Sequence, residues 1–238
     1  MSPEEVQEII RLRALNLSPK QIARKLGLRP AEVHGLLRQQ AEEVTITRRA
    51  KGELAPLERC LINEEAAQRL LESQKKGWFG SRRGSDEAPD GVGGLAQIFV
   101  TRVERNQYLV GSYLVDYWCL GVKNVLRPRK LNRTKYEALV EKTYSKFQQN
   151  YREITLEQAQ AIIFGAVEYA HKLGLKPHRD WTTSKDHLGQ PSENLLPIEF
   201  GRKGKPFYVS GPYDNPDKIV AKLRETVGEG NFDYLMLG

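Results

Sequence analysis

The sequence predicts an α+β protein in two parts, a tri-helical N-terminal domain and a larger domain with a mainly antiparallel sheet and flanking helices. Three observations carry this reading. Residues 18–38 hold two short capped runs with apolar residues at helical spacing, broken by Gly27. Residues 95–103 and 108–120 are rich in Ile, Val, Phe, Tyr and Leu and are joined by the polar turn Glu104-Arg105-Asn106-Gln107. Helix-period segments then follow from Arg133 and from Thr155, and an order of hairpin, then helices, belongs to α+β rather than to alternating α/β folds. At 238 residues the chain is long enough for one small and one medium core.

In chain order, Ser2, Pro3 and Glu5 make a capped helix start, with Val6, Ile9, Ile10 and Leu12 supplying its apolar stripe. Ser18, Pro19 and Gln21 repeat that start. Ile22, Ala23 and Leu26 face inward, Gly27 provides the left-handed turn, and Pro30 restarts a helix whose inner face is Val33, Leu36 and Leu37. Ala23, Gly27 and Val33 fall at the spacing of a small crossing residue, a turn glycine and a branched core residue. On these residues the segment resembles the helix-turn-helix superfamily, in the tri-helical form of recombinases and transcription regulators, over an expected domain of residues 1–45. The resemblance implies a base-reading face of Arg29, Ala31, His34, Gly35 and Arg38, with Lys20, Arg24 and Lys25 near phosphates. Of that face only Arg29, His34 and Arg38 can reach base edges with polar groups.

Residues 46–94 read as a linker. Thr45-Ile46-Thr47 reads as a short strand or an extended exit. Arg48, Arg49 and Lys51 form a basic arm, suited to a minor groove or equally to a solvated connection. Asn63 caps a bridging helix that runs toward Lys75, with acids at its start and lysines at its end. Residues 77–94 have loop composition, and their glycines lack the preceding strand of a dinucleotide fingerprint.

The expected second domain is 95–238. Residues 108–123 read as one central strand that buries Asp116. A helix follows from Arg133 or Thr134 to Tyr151, with Tyr136, Leu139, Val140, Tyr144 and Phe147 on one face. Thr155 and Gln158 form a capping box for a largely buried helix that Gly174 stops. Residues 198–201 and 206–210 read as a second hairpin around Arg202-Lys203-Gly204-Lys205. Asn215 caps an amphipathic helix ended by Gly228, and residues 232–237 read as a final strand.

Net charge is +7, and residues 122–152 hold nine basic side chains against two acids, an excess equal to that of the whole chain. Lys123, Arg127, Arg129, Lys130, Arg133, Lys135, Lys142 and Lys146 in this window are candidates for phosphate contact. Cys60 and Cys119 are too few for a disulfide framework and lack metal-site spacing, and neither a secretory leader nor an apolar run of membrane-spanning length is read. A cytoplasmic protein with no membrane partner, metal or cofactor is expected. Two clusters invite chemistry without forming a motif: Asp116, Cys119 and Lys123, and His178 with Asp180, flanked by His171 and His187. Cys119 reads equally as a core residue, and Asp116 as the partner of a lysine or the cap of a turn. Together these features predict a DNA-binding, regulatory protein with DNA or structured RNA as partner and a possible homodimer. The alternatives are a nuclease-like enzyme using Asp116, His178 and Asp180, and an RNA- or ribosome-associated factor.

Overall fold

A computed structural model describes residues 1–72, 93–146 and 150–236. The chain forms two compact units, Met1–Ala55 and Pro56–Gly238. The first contains α1 (Pro3–Ala14), α2 (Pro19–Leu26) and α3 (Pro30–Ala50). Ser2 and Ser18 accept from the amides of Glu5 and Gln21, whose side chains return to the cap amides, so two helix starts are satisfied locally. Gly27, at φ +66°, ends α2. Ile9, Leu12, Ile22, Ala23 and Val33 meet in the core of this unit.

The extended exit expected at Thr45-Ile46-Thr47 is instead helical, and so are Arg48 and the backbone of Arg49. Ala41, Glu42 and Glu43 are strong helix formers and no glycine intervenes before Gly52, so α3 propagates for 21 residues, about 30 Å. Thr45 accommodates this by donating its hydroxyl to Ala41 O at 2.7 Å. The basic arm is therefore the end of a rod, with Lys51 just beyond it.

The second unit contains, in order, β1 (Leu57–Asn63), α4 (Glu64–Ala67, prolonged by a π turn over Gln68–Glu72), β2 (Leu95–Glu104), β3 (Gln107–Asp116) and β4 (Gly121–Leu131). There follow α5 (Arg133–Ser145), β5 (Tyr151–Ile154), α6 (Leu156–Lys172), α7 (Trp181–Ser184, prolonged by a 3-10 turn over Lys185–Leu188), β6 (Phe207–Val209), α8 (Pro216–Val227) and β7 (Asp233–Leu235). Five strands pair antiparallel in the order β4-β3-β2-β1-β5.

Side chains alternate between two cores, as the pleat requires. On one face Cys60, Ile62, Ile98, Val100, Tyr113 and Val115 pack against Ile162, Ile163 and Ala166 of α6. On the other, Leu61, Phe99 and Val110 pack against Tyr136, Val140 and Tyr144 of α5. A smaller cluster joins Cys119, Leu173, Tyr208, Val220, Leu223 and Phe232, and so seats α8 on the β3–β4 turn.

Several expectations are corrected here. Leu57–Asn63, assigned to the linker, is a sheet strand; buried from Cys60 to Asn63, it lacks the alternation that announces a half-buried strand. The single strand expected over residues 108–123 breaks at 117–120, and the chain doubles back at Gly121, whose φ is +68°. Helix α5 stops at Ser145, and Tyr151 lies in β5, while Phe147 lies outside the described residues. So does most of 77–94, and the helix from Asn63 is described only through Glu72. The second hairpin reduces to a single bridge between Arg202 and Lys205, because β6 pairs instead in parallel with β7. Among the described residues no helix is long and apolar enough to cross a membrane.

Candidate functional site

The α2–α3 surface carries all six of the side chains singled out on the N-terminal unit. Lys20, Arg24, Lys25, Arg29, His34 and Arg38 are exposed, since the apolar face of each helix is turned into the shared core. Arg29 is not an idle cation: it pairs with Glu32 one turn later on α3. That pair is exposed and therefore weak in water, and a phosphate or base edge can compete with it.

The basic window is a strand followed by a helix rather than one face. Most of its cations are exposed, yet five already hold carboxylates. Lys123 pairs with Asp214 at 2.9 Å, Arg127 with Asp180 at 2.5 Å, Lys130 with Glu104 at 2.5 Å, Arg133 with Glu137 at 2.8 Å, and Arg152 with Glu72 at 2.6 Å. Arg129, Lys135, Lys142 and Lys146 have no ion pair among the described residues. The window's seven-charge excess therefore overstates the charge available to an outside polyanion.

A cavity of about 850 Å³ lies where the turn end of β3 and β4 meets β6 and the loops after α6 and β6. It brings Asp116 and Lys123 of one sequence cluster together with His178 of the other. Asp180 and Cys119 do not join them. Asp180 turns to Arg127, whose guanidinium holds its carboxyl below the ordinary range. Cys119 sits in the core with Tyr208 and Leu173, where burial pushes its thiol far up and removes its nucleophilicity. His171 is exposed on α6 and His187 is buried against β2, so the histidines are dispersed. No group of three metal-ligating side chains occurs among the described residues.

Asp116 caps the β3–β4 turn, accepting from the amides of Trp118 at 3.0 Å and Cys119 at 2.9 Å. Lys123 instead reaches Asp214, which also accepts from the Gly211 amide at 2.8 Å and from the Tyr208 hydroxyl. His178 accepts from the Asp180 amide on Nδ1 at 3.2 Å, so its neutral ring carries the proton on Nε2. Its own amide donates to Val122 O at 2.8 Å, tying the loop to β4.

Burial pushes the Asp116 carboxyl up from 3.8 to about 6, against the opposing pull of the amides and of Lys123. An acid raised in this way binds more protons folded than unfolded between those values, so its stabilisation is present below 3.8 and is lost as pH rises through about 6. His187 runs the other way: burial pushes it down from 6.5 to about 4, and its contribution is lost as pH falls through that interval. Each shift corresponds to ~3 kcal/mol, so the two largely offset each other on acidification. Relative to the parent, Asp116→Asn should lose ~3 kcal/mol of stability as pH drops from about 6 to about 4, read by urea denaturation at a series of pH values. A variant-to-parent difference that stays flat over that interval would show that Asp116 titrates as an ordinary surface acid.

Sequence reasoning missed the far wall of the cavity, Phe207, Val209 and the turn from Ser210 to Asp214. The Gly211-Pro212 dipeptide signals a turn, but nothing local says that Asp214 will meet Lys123 from 91 positions away. No family model, no curated protein and no solved structure matches the chain.

Proposed function

We propose that the chain is a nucleic-acid-binding regulator that engages duplex DNA through α2 and α3 as a helix-turn-helix. The observation that supports this reading is the joint exposure of Lys20, Arg24, Lys25, Arg29, His34 and Arg38 on two helices crossing at a left-handed glycine. Arg29, just before α3, and His34 and Arg38 on it reach base edges, and the lysines and Arg24 set its register on phosphates. Arg129, Lys135, Lys142 and Lys146 add salt-dependent attraction of their own.

The test is fluorescence anisotropy with labelled duplex DNA and an RNA hairpin across a salt series, on the full chain. DNA affinity is expected to fall steeply with salt. Arg29→Ala with Arg38→Ala should reduce the log–log slope by roughly two and weaken a preferred sequence, selected from random duplex, more than the random pool. Equal binding by parent and double variant, or tighter binding to the RNA hairpin than to any duplex, would overturn the DNA reading.

A further inference from the structure

We propose that the cavity of the second unit binds a small ligand in which a planar ring carries an oxyanion, as in a nucleotide phosphate or an aromatic carboxylate. In this cavity each of the two acids takes these hydrogen bonds on one oxygen, Asp116 on Oδ1 from backbone amides and Asp214 on Oδ2 from Lys123, the Gly211 amide and Tyr208. The donors are less engaged. Lys123 spends one of its three N–H groups on Asp214, and the Nε2 proton of His178 has no partner among the described residues. The side chains of Asn124 and Arg179 make no hydrogen bond among those residues either, and both are exposed where they line the cavity. Free N–H groups of Lys123, His178, Asn124 and Arg179 outnumber the free acceptor oxygens at the polar end, and a group of several acceptor oxygens complements them.

The remaining wall is apolar and aromatic, from Leu95, Leu114, Trp118, Phe207 and Val209. Trp118 and Phe207 meet edge to face at 5.5 Å, and Arg202 lies over both rings at 5.3 and 4.6 Å, so this wall is fixed before any ligand arrives. Tyr213, at the mouth, is 98 % exposed, with an aromatic face available to cover a ring seated inside. The loop fits closely around the cation: a Cβ on Gly211 would stand 2.7 Å from Lys123 Nζ and 3.0 Å from Asp214 Oδ2. A cavity of about 850 Å³ falls within the range of preformed small-molecule sites, roughly 300–1,000 Å³.

Isothermal titration calorimetry on the full chain tests this with 5′-AMP and salicylate. Adenosine and benzyl alcohol serve as rings without charge, and inorganic phosphate and acetate as charge without a ring. At least one of the two ring-bearing anions should bind one to one with Kd below about 1 mM, and which of them does so identifies the oxyanion source. Its uncharged and ringless counterparts should bind at least tenfold more weakly. Arg179→Ala and Tyr213→Ala alter exposed side chains and leave the fold intact; combined, they should weaken binding at least tenfold, and Lys123→Met more. The proposal is overturned if neither anion binds below that limit, if a counterpart binds as tightly, or if the Arg179 and Tyr213 double variant binds as the parent does.

Discussion

Replacing Gly121 by alanine is expected to cost the second unit about 2–5 kcal/mol, a large share of a domain's total stability of about 5–15 kcal/mol. Two independent penalties meet there. The residue turns the chain from β3 into β4 at φ +68°, a conformation that costs a side-chain-bearing residue ~1–2 kcal/mol. An added Cβ would also stand 2.6 Å from the carbonyl oxygen of Ala166 and 2.7 Å from the Cβ of Ala170, both on α6. Neither neighbour is the tip of a flexible side chain, so helix and sheet must separate, at roughly 1–3 kcal/mol. Gly204 is the internal control. Its φ is +77° with nothing within 4 Å, so Gly204→Ala should carry only the conformational penalty, about 1–2 kcal/mol. The midpoints of urea denaturation decide the matter, and similar losses at the two positions would show that α6 does not press on the turn.

The second large effect is expected at Arg102. This guanidinium is 5 % exposed on β2, with Nε donating to His187 O at 2.8 Å and Nη2 to Leu188 O at 3.4 Å. It fastens the segment after α7 to the sheet. His187 adds a bond of its own from Nε2 to Val100 O at 3.0 Å, and its ring lies so near Gly111 that a Cβ there would come within 2.8 Å of it. Arg102→Ala should cost about 3 kcal/mol, because it takes from the His187 carbonyl its donor, while Leu188 O keeps Gln160 Nε2 at 2.9 Å, and because it opens a void. Arg102→Lys should recover little, since one ammonium does not reproduce a planar fork. Hydrogen exchange separates this from general loosening: amides of 185–189 should lose protection before those of β2 and β3. Protection lost uniformly, or Lys restoring full stability, would contradict the fastening role.

Local signals were enough for elements that answer to local physics. The capping boxes at Ser2, Ser18 and Thr155, the left-handed Gly27 and the apolar spacing of α2, α3 and α6 are set within a few residues of chain, and each lies where the sequence places it. What was illegible depends on partners far along the chain. Leu57–Asn63 becomes a strand because β2 and β5 flank it, and its burial on both sides erased the alternating pattern that identifies strands. The cavity shows the same division. Asp116 was readable as a turn cap or a lysine's partner, and it is the turn cap. Lys123 was readable as a charge, but its alliance with Asp214, and the aromatic wall from Phe207, required folding of segments some ninety positions apart.

The rims of the five-stranded sheet also limit how two copies of this chain can associate. At one rim β5 spans only Tyr151–Ile154, too little for a lasting ladder. At the other, β4 places Pro128, which has no amide to donate, among Arg127, Arg129 and Lys130, which repel their own kind. Strand-by-strand growth from one molecule to the next, the usual beginning of fibrils, is discouraged at both borders.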